Sequence, residues 1–144
     1  VHEDANRFRV LAAKRQSVAL RAQQVHVQCA RAVRSALAGQ SARQARIAGL
    51  EAGAPEGGVD LAREQRRQQH LTRLRVELVA HNQHLAACHA RAQAAHQAFS
   101  RAQTAYEQIK VLHERALAKA ALALRRRRLR LEEEEANRPR GPKF

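Results

Sequence analysis

A chain of 144 residues has room for one domain. Three Phe, one Tyr and no Trp or Met supply too little bulky apolar volume for a globular core, whereas a 44% hydrophobic fraction rich in alanine suits a narrow helical seam. Lys+Arg 27 against Asp+Glu 13 gives a net charge of +14 and an attraction to anionic partners; two cysteines exclude a disulfide framework, and no apolar run reaches membrane-span length.

Glycine and proline mark out the elements. Four of the six Gly and Pro55 fall in GLEAGAPEGG (49–58), and RPRGP (138–142) holds the other two Pro. Between these islands the chain predicts a first helix over about 4–49, a loop over about 50–59, a second helix over about 60–137 and a tail over 138–144. The whole is one coiled-coil hairpin. A lone Gly39 interrupts the first helix at a cost of about 1 kcal/mol relative to Ala.

In the first helix one heptad line reads Leu11, Val18, Val25, Ala32, and the other reads Phe8, Arg15, Ala22, Cys29, Ala36, Arg43, Leu50. Arg15 can run its aliphatic stem along the seam edge. Residues 5–50 carry nine Lys and Arg side chains and no acid, spread around the helix instead of gathered in a stripe. With few aromatics to stack on bases and no basic-region zipper layout, this favours nonspecific attraction over a dedicated nucleic-acid site. A basic coiled-coil nucleic-acid binder is the alternative function.

Asp60 is placed to cap the second helix, and Arg138-Pro139 to end it. Its heptads are sustained: Leu71, Leu78, Leu85, Ala92, Phe99, Tyr106, His113, Ala120 on one line and Leu74, His81, Cys88, Ala95, Ala102, Ile109, Ala116, Ala123 on the other. Two amphipathic helices joined by a short loop make an all-α, antiparallel two-helix coiled-coil hairpin with a longer C-terminal helix. Folding about residue 55 sets opposite one another residues whose numbers total about 110. At ~1.5 Å per residue the helices are about 70 and 115 Å long, so roughly thirty C-terminal residues lack an intramolecular partner.

Chemistry-bearing residues are sparse. His81, His84 and Cys88 share a helical face, and the hairpin register brings Cys29 towards His81, a conceivable zinc set. His81 and Cys88 also fall on the seam, where they serve as small core residues, so no metal is expected. Nor is any cofactor: the Gly cluster lacks the Lys-Ser/Thr of a phosphate loop, and nothing builds a catalytic pocket. The expectation is a noncatalytic protein without membrane insertion. The missing initiator Met points to a trimmed chain, and the absence of a signal-peptide pattern to the cytoplasm.

Function is expected in the overhang. Residues 109–131 carry Ile109, Leu112, Ala116, Ala120, Ala123, Leu124 and Leu131 on one broad stripe amid arginines, suited to an acidic-rimmed, apolar-lined partner. Pairing with a second copy, as a self-associating structural coiled coil, is the competing use. RRRRLRLEEEE (125–135) closes the helix with five Arg and four Glu, a net +1. Arg128–Glu132 and Arg130–Glu134 stand four apart, in the poorer order for lacing a helix.

The layout, and VLHERALAKAALALRRRRLRLEEEEANRPR in particular, resembles the YscO/FliJ (SctO) family, central stalk proteins of type III secretion and flagellar export. The matching positions are Leu112, Glu114 and Arg115, then Glu134, Glu135, Ala136 and Arg138. The resemblance implies a stalk at the cytoplasmic face of a secretion apparatus. Its paired terminal ends would sit in the pore of a hexameric export ATPase through Phe8, Leu11, Arg115, Leu124, Arg127, Arg128 and Leu131. A surface nearer the loop, with Arg75, Val76 and Val79, would meet the cytoplasmic ring of the export gate. Secretion chaperones are a further class of partner in that family.

Overall fold

The computed structural model describes residues 2–53, 60–139 and 141. It is an all-α helical hairpin of two long packed helices, α1 (His2–Ala52) and α2 (Leu61–Ala136), with no strand among the described residues. Both helices overshoot or match the expected bounds to within three residues. The predicted loop lies outside the described residues over 54–59, as do Arg140 and residues 142–144 of the tail. No helix is long and apolar enough to cross a membrane among the described residues.

The ends form as the local chemistry dictates. Asp60 Oδ1 accepts the N–H groups of Ala62 (3.2 Å) and Arg63 (3.4 Å), two of the donors that the first turn of α2 leaves unpaired. At the other end the Asn137 N–H still reaches Glu133 O at 2.9 Å, and Pro139 follows directly. The C-terminus of α1 runs through Gly49 because α2 holds it. Arg67 Nη1 donates to Leu50 O at 2.6 Å, a carbonyl in the last turn that lacks an intrahelical donor. Glu64 takes the same guanidinium on two oxygens, at 2.9 and 3.1 Å, and so aims it.

The packing falls into two units, Arg21–Phe99 and Val1–Leu20 with Ser100–Phe144. In Arg21–Phe99, Ala36 meets His81 and Leu50 meets Arg67, so facing residue numbers total 117. In the other unit Ala5 meets His113, a total of 118. Both values correct the register of about 110. α1 persists to Ala52 and α2 begins only at Leu61, each later in the chain than expected.

All but one member of the two α2 lines is buried or half-buried, the exception being Ala123. In α1 the line through Phe8, Ala22, Cys29, Ala36, Arg43 and Leu50 also faces α2, with Arg15 exposed. The Leu11–Val18–Val25–Ala32 line does not: Val18 is 52% and Val25 50% exposed, and Leu11 is only half-buried. Its place is taken one residue on. Ile47 packs with Leu71, the most buried side chain at 2% exposure, and with Leu74, flanked by Leu50 and Leu78. Every seventh residue back from Ile47 then shares its face: Gln40, Val33, His26, Ala19, Ala12 and Ala5, each buried or half-buried.

Midway along Arg21–Phe99 the seam turns polar. His81 Nε2 donates to Ala36 O at 2.7 Å, and its ring fills the space beside Gly39, where a Cβ would stand 3.0 Å from Cε1 and Nε2. Arg43 Nη1 donates to Gly39 O at 3.2 Å, and Gln40 Nε2 to Asn82 Oδ1 at 2.9 Å. Gly39, in the middle of α1, is therefore a docking notch for an imidazole. Just beyond it Ala36, Leu85 and Cys88 form a second buried cluster with Val33.

Two measurements test these contacts. In a His81→Ala background, Gly39→Ala should stabilise by about 1 kcal/mol through helix propensity. In the wild type that gain should vanish as the ring is displaced, a coupling of about 1 kcal/mol readable from denaturant titrations of the four proteins. Hydrogen bonds from Arg67 and Gln68 hold the Glu64 carboxyl below the usual 4.5. Its contribution is thus present at neutral pH and is lost as pH falls below 4.5 through that lowered value. Wild type should melt above Glu64→Gln at pH 7, and the two melting curves should converge in acid.

Candidate interaction surfaces

Exposure rises abruptly along α2. Ala116 is buried and Ala120 half-buried, but every residue from Ala121 to Pro139 is exposed. Among the described residues the uncovered helix is therefore about 121–136, with Ala121 and Leu124 still bordering α1, about half the length anticipated, because the register places Ala5 beside His113. It carries Leu124 (59% exposed), Leu131 (54%), Leu122 and Leu129 together with Arg125–Arg128 and Arg130.

Two grooves precede it, both within the unit of Val1–Leu20 and Ser100–Phe144. One is lined by Ala5, Asn6, Arg9, His113, Leu117 and Leu124, among others. His113 Nδ1 donates to Ala5 O at 3.1 Å across its floor, and Asn6 Oδ1 accepts from Arg9 Nη2 at 2.8 Å on its rim. The other is lined by Asp4, Phe8, Leu112, Arg115, Ala116 and Lys119. Phe8 and Arg115 are thus brought together and Leu124 sits in the neighbouring groove, whereas Arg127, Arg128 and Leu131 stand on the unpartnered helix. Phe8 and Leu11 are half-buried, so less of either is presented than a surface role assumes.

Thr72, Arg75, Val76 and Val79 line a shallow depression on α2 within Arg21–Phe99. The three residues expected near the loop do form one patch, with Val76 and Val79 exposed. Arg75 is already engaged, its Nη2 2.8 Å from Glu51 Oε1.

The four metal candidates are not assembled. His81 faces Ala36 and Gly39 instead of Cys29, a consequence of the shifted register. Cys88 is buried with Ala36 and Leu85, with its Sγ 3.6 Å from His84 Nε2. Among the described residues no group of three or more His, Cys, Asp or Glu side chains could hold a metal ion. A different imidazole cluster does form, unforeseen because Val25 was expected at the seam. His26 lies 5.2 Å from the His96 ring and stacks on Phe99 at 6.0 Å with 1° between planes. Its Nδ1 is buried without a hydrogen-bond partner among the described residues.

Removing the exposed end tests whether it contributes to folding. A chain stopped after Leu124 should keep its melting temperature within about 2 °C, since exposed residues away from packed contacts change stability little. Its helical circular dichroism should fall in proportion to the residues lost. A large drop in melting temperature would show that residues 125–136 pack against the rest.

Comparisons with known protein families, with curated proteins and with solved structures gave no match.

Proposed function

We propose that the chain is a noncatalytic stalk of a type III secretion export apparatus, inserted in the pore of the hexameric ATPase and linking it to the export gate. The observation carrying this reading is the exposed end of α2, sixteen helical residues (121–136) with four exposed leucines and five arginines, whose first turn lines a groove with α1 and whose remainder is uncovered among the described residues. The all-α hairpin with its longer C-terminal helix agrees with the family that the sequence resembles. Such a rod inside a ring favours different subunit conformations in turn. Arginines meeting acidic pore loops through exposed ion pairs gain little at each contact, which keeps successive contacts exchangeable.

In this reading Arg115, Leu124, Arg127, Arg128 and Leu131 face the ATPase, with Phe8 and Leu11 supporting them from α1. Arg75, Val76 and Val79 meet the gate ring. The protein works at the cytoplasmic face of the apparatus, and secretion chaperones are further candidate partners. The test is titration of the full chain into the cognate export ATPase, reading binding and ATP turnover. Wild type should bind and change turnover, and Arg127→Glu with Arg128→Glu should weaken binding at least about tenfold, as like charges face each other. Absence of both binding and any change in turnover sinks the proposal.

A basic nucleic-acid binder is the second reading, favoured by one observation: the nine basic residues between 5 and 50 are, except half-buried Arg43, all exposed. It requires duplex binding that persists at physiological salt. Charge-driven nonspecific binding instead collapses between about 50 and 200 mM salt.

A further inference from the structure

The eleven residues RRRRLRLEEEE (125–135) are exposed, and among the described residues the ion pairs are Arg67–Glu64 and Arg75–Glu51, neither of which involves them. Their order is also unfavourable within one helix. The last turn of α2 contains no basic residue, so the glutamates sit at the negative end of the helix dipole without a cation in that turn to offset them.

Laid antiparallel against itself, the same segment becomes complementary. With the two-fold axis at Arg130, Arg125 of one copy stands level with Glu135 of the second, Arg126 with Glu134, Arg127 with Glu133 and Arg128 with Glu132. Each glutamate end then lies beside an arginine block, and the two helix dipoles run in opposite directions. Leu124, Arg128, Leu131 and Glu135 share one face at i, i+4, i+7 and i+11. On that face the two copies of Leu131 meet near the axis. We propose that residues 125–135 are a self-recognition element through which two copies of this chain associate, antiparallel, with the dyad at Arg130.

Register and direction are both specified. A parallel pairing in register sets arginine against arginine and glutamate against glutamate. Sliding the antiparallel pair by four residues leaves Arg130 level with Glu134 as the one Arg–Glu match in one direction, and in the other sets Arg128 against Arg128 and Arg126 against Arg130. An isologous interface of this kind closes at two copies. Arg125–Glu135 and Arg128–Glu132 lie towards the Leu131 face, whereas Arg126 and Glu133 fall nearly opposite it; the pairs that form are exposed and individually weak, so association is modest and screened by salt. The proposal stands apart from the stalk reading, because self-association can fail while ATPase binding holds, and the converse.

Sedimentation equilibrium of the full chain tests it, with circular dichroism as a control for helix content. One variant carries R125E, R126E, R127E and R128E; a second carries E132R, E133R, E134R and E135R; a third carries both sets. Wild type should dimerise with an association constant that drops at least about tenfold from 50 to 500 mM salt, a range over which the screening length shortens about threefold. Each single-block variant should be monomeric alone, and the two should associate when mixed. The third, its blocks exchanged but still complementary, should dimerise like wild type. A wild type that stays monomeric at about 100 μM in 50 mM salt overturns the proposal. So does a single-block variant that dimerises as wild type does, or a mixture of the two that stays monomeric.

Discussion

The shortage of bulky apolar side chains governs how this hairpin is put together. Its only cluster of large buried aliphatics is Ile47, Leu71 and Leu74 among the described residues, beside the ends of the helices that the connection joins. Elsewhere the seam is filled by alanine, with Ala5, Ala19, Ala36, Ala95 and Ala116 all buried. Alanine brings little apolar area per residue, so its benefit depends on close backbone approach and on the many weak dispersion contacts that approach creates. Ile47 sets the phase for α1, and the helical period carries that phase to residues that would not have been chosen on hydrophobicity. His26 lies in the seam while Val25 is exposed.

Polar contacts then do what apolar volume cannot. Arg67 caps a carbonyl of the neighbouring helix, and Glu64 fixes the guanidinium that does so. The attraction between Glu64 and Arg67 lowers the one pKa and raises the other, through hydrogen bonding first. His81 fills the notch at Gly39 and bonds to Ala36 O, a contact with strict steric requirements. Contacts of this kind add modest stability but discriminate between registers, because a shift by one residue leaves half-buried polar groups without partners. In a seam of nearly interchangeable alanines, they are what distinguishes one alignment from its neighbours.

The two helices, the Asp60 cap and nearly the whole α2 seam were legible from periodicity and helix-end chemistry, since Leu71, Leu74, Leu85 and Cys88 leave no other face for α2 to bury. The α1 seam was not. Two apolar lines one residue apart compete there, and hydrophobicity ranks Val18 and Val25 above Ala19 and His26. Only the contact of Ile47 with Leu71 and Leu74 decides between them. The register was missed for a related reason: it depends on how far each helix extends into the glycine-rich connection, and Arg67 extends α1 by a contact from another element. That shift separated Cys29 from His81 and shortened the unpartnered end of α2. The Gly39 notch had a visible signal, one glycine in a long helix, whose meaning depended on knowing what lies opposite.

The exposed end of α2 presents leucines on two sides. Leu117, Leu124 and Leu131 follow one another at intervals of seven, and Leu122 and Leu129 do the same two positions out of step. Two positions correspond to about 200° around an α-helix, so the lines are nearly opposed. A flat partner, or a second copy docked along Leu124 and Leu131, covers one line and leaves the other in water. A partner that encloses the helix covers both. The four consecutive arginines span about 300° of the same circumference, so charge offers no preferred side either. A helix that merely pairs has no need of a second apolar line. Its presence favours an environment that surrounds the segment, with self-pairing occupying only the Leu124–Leu131 side.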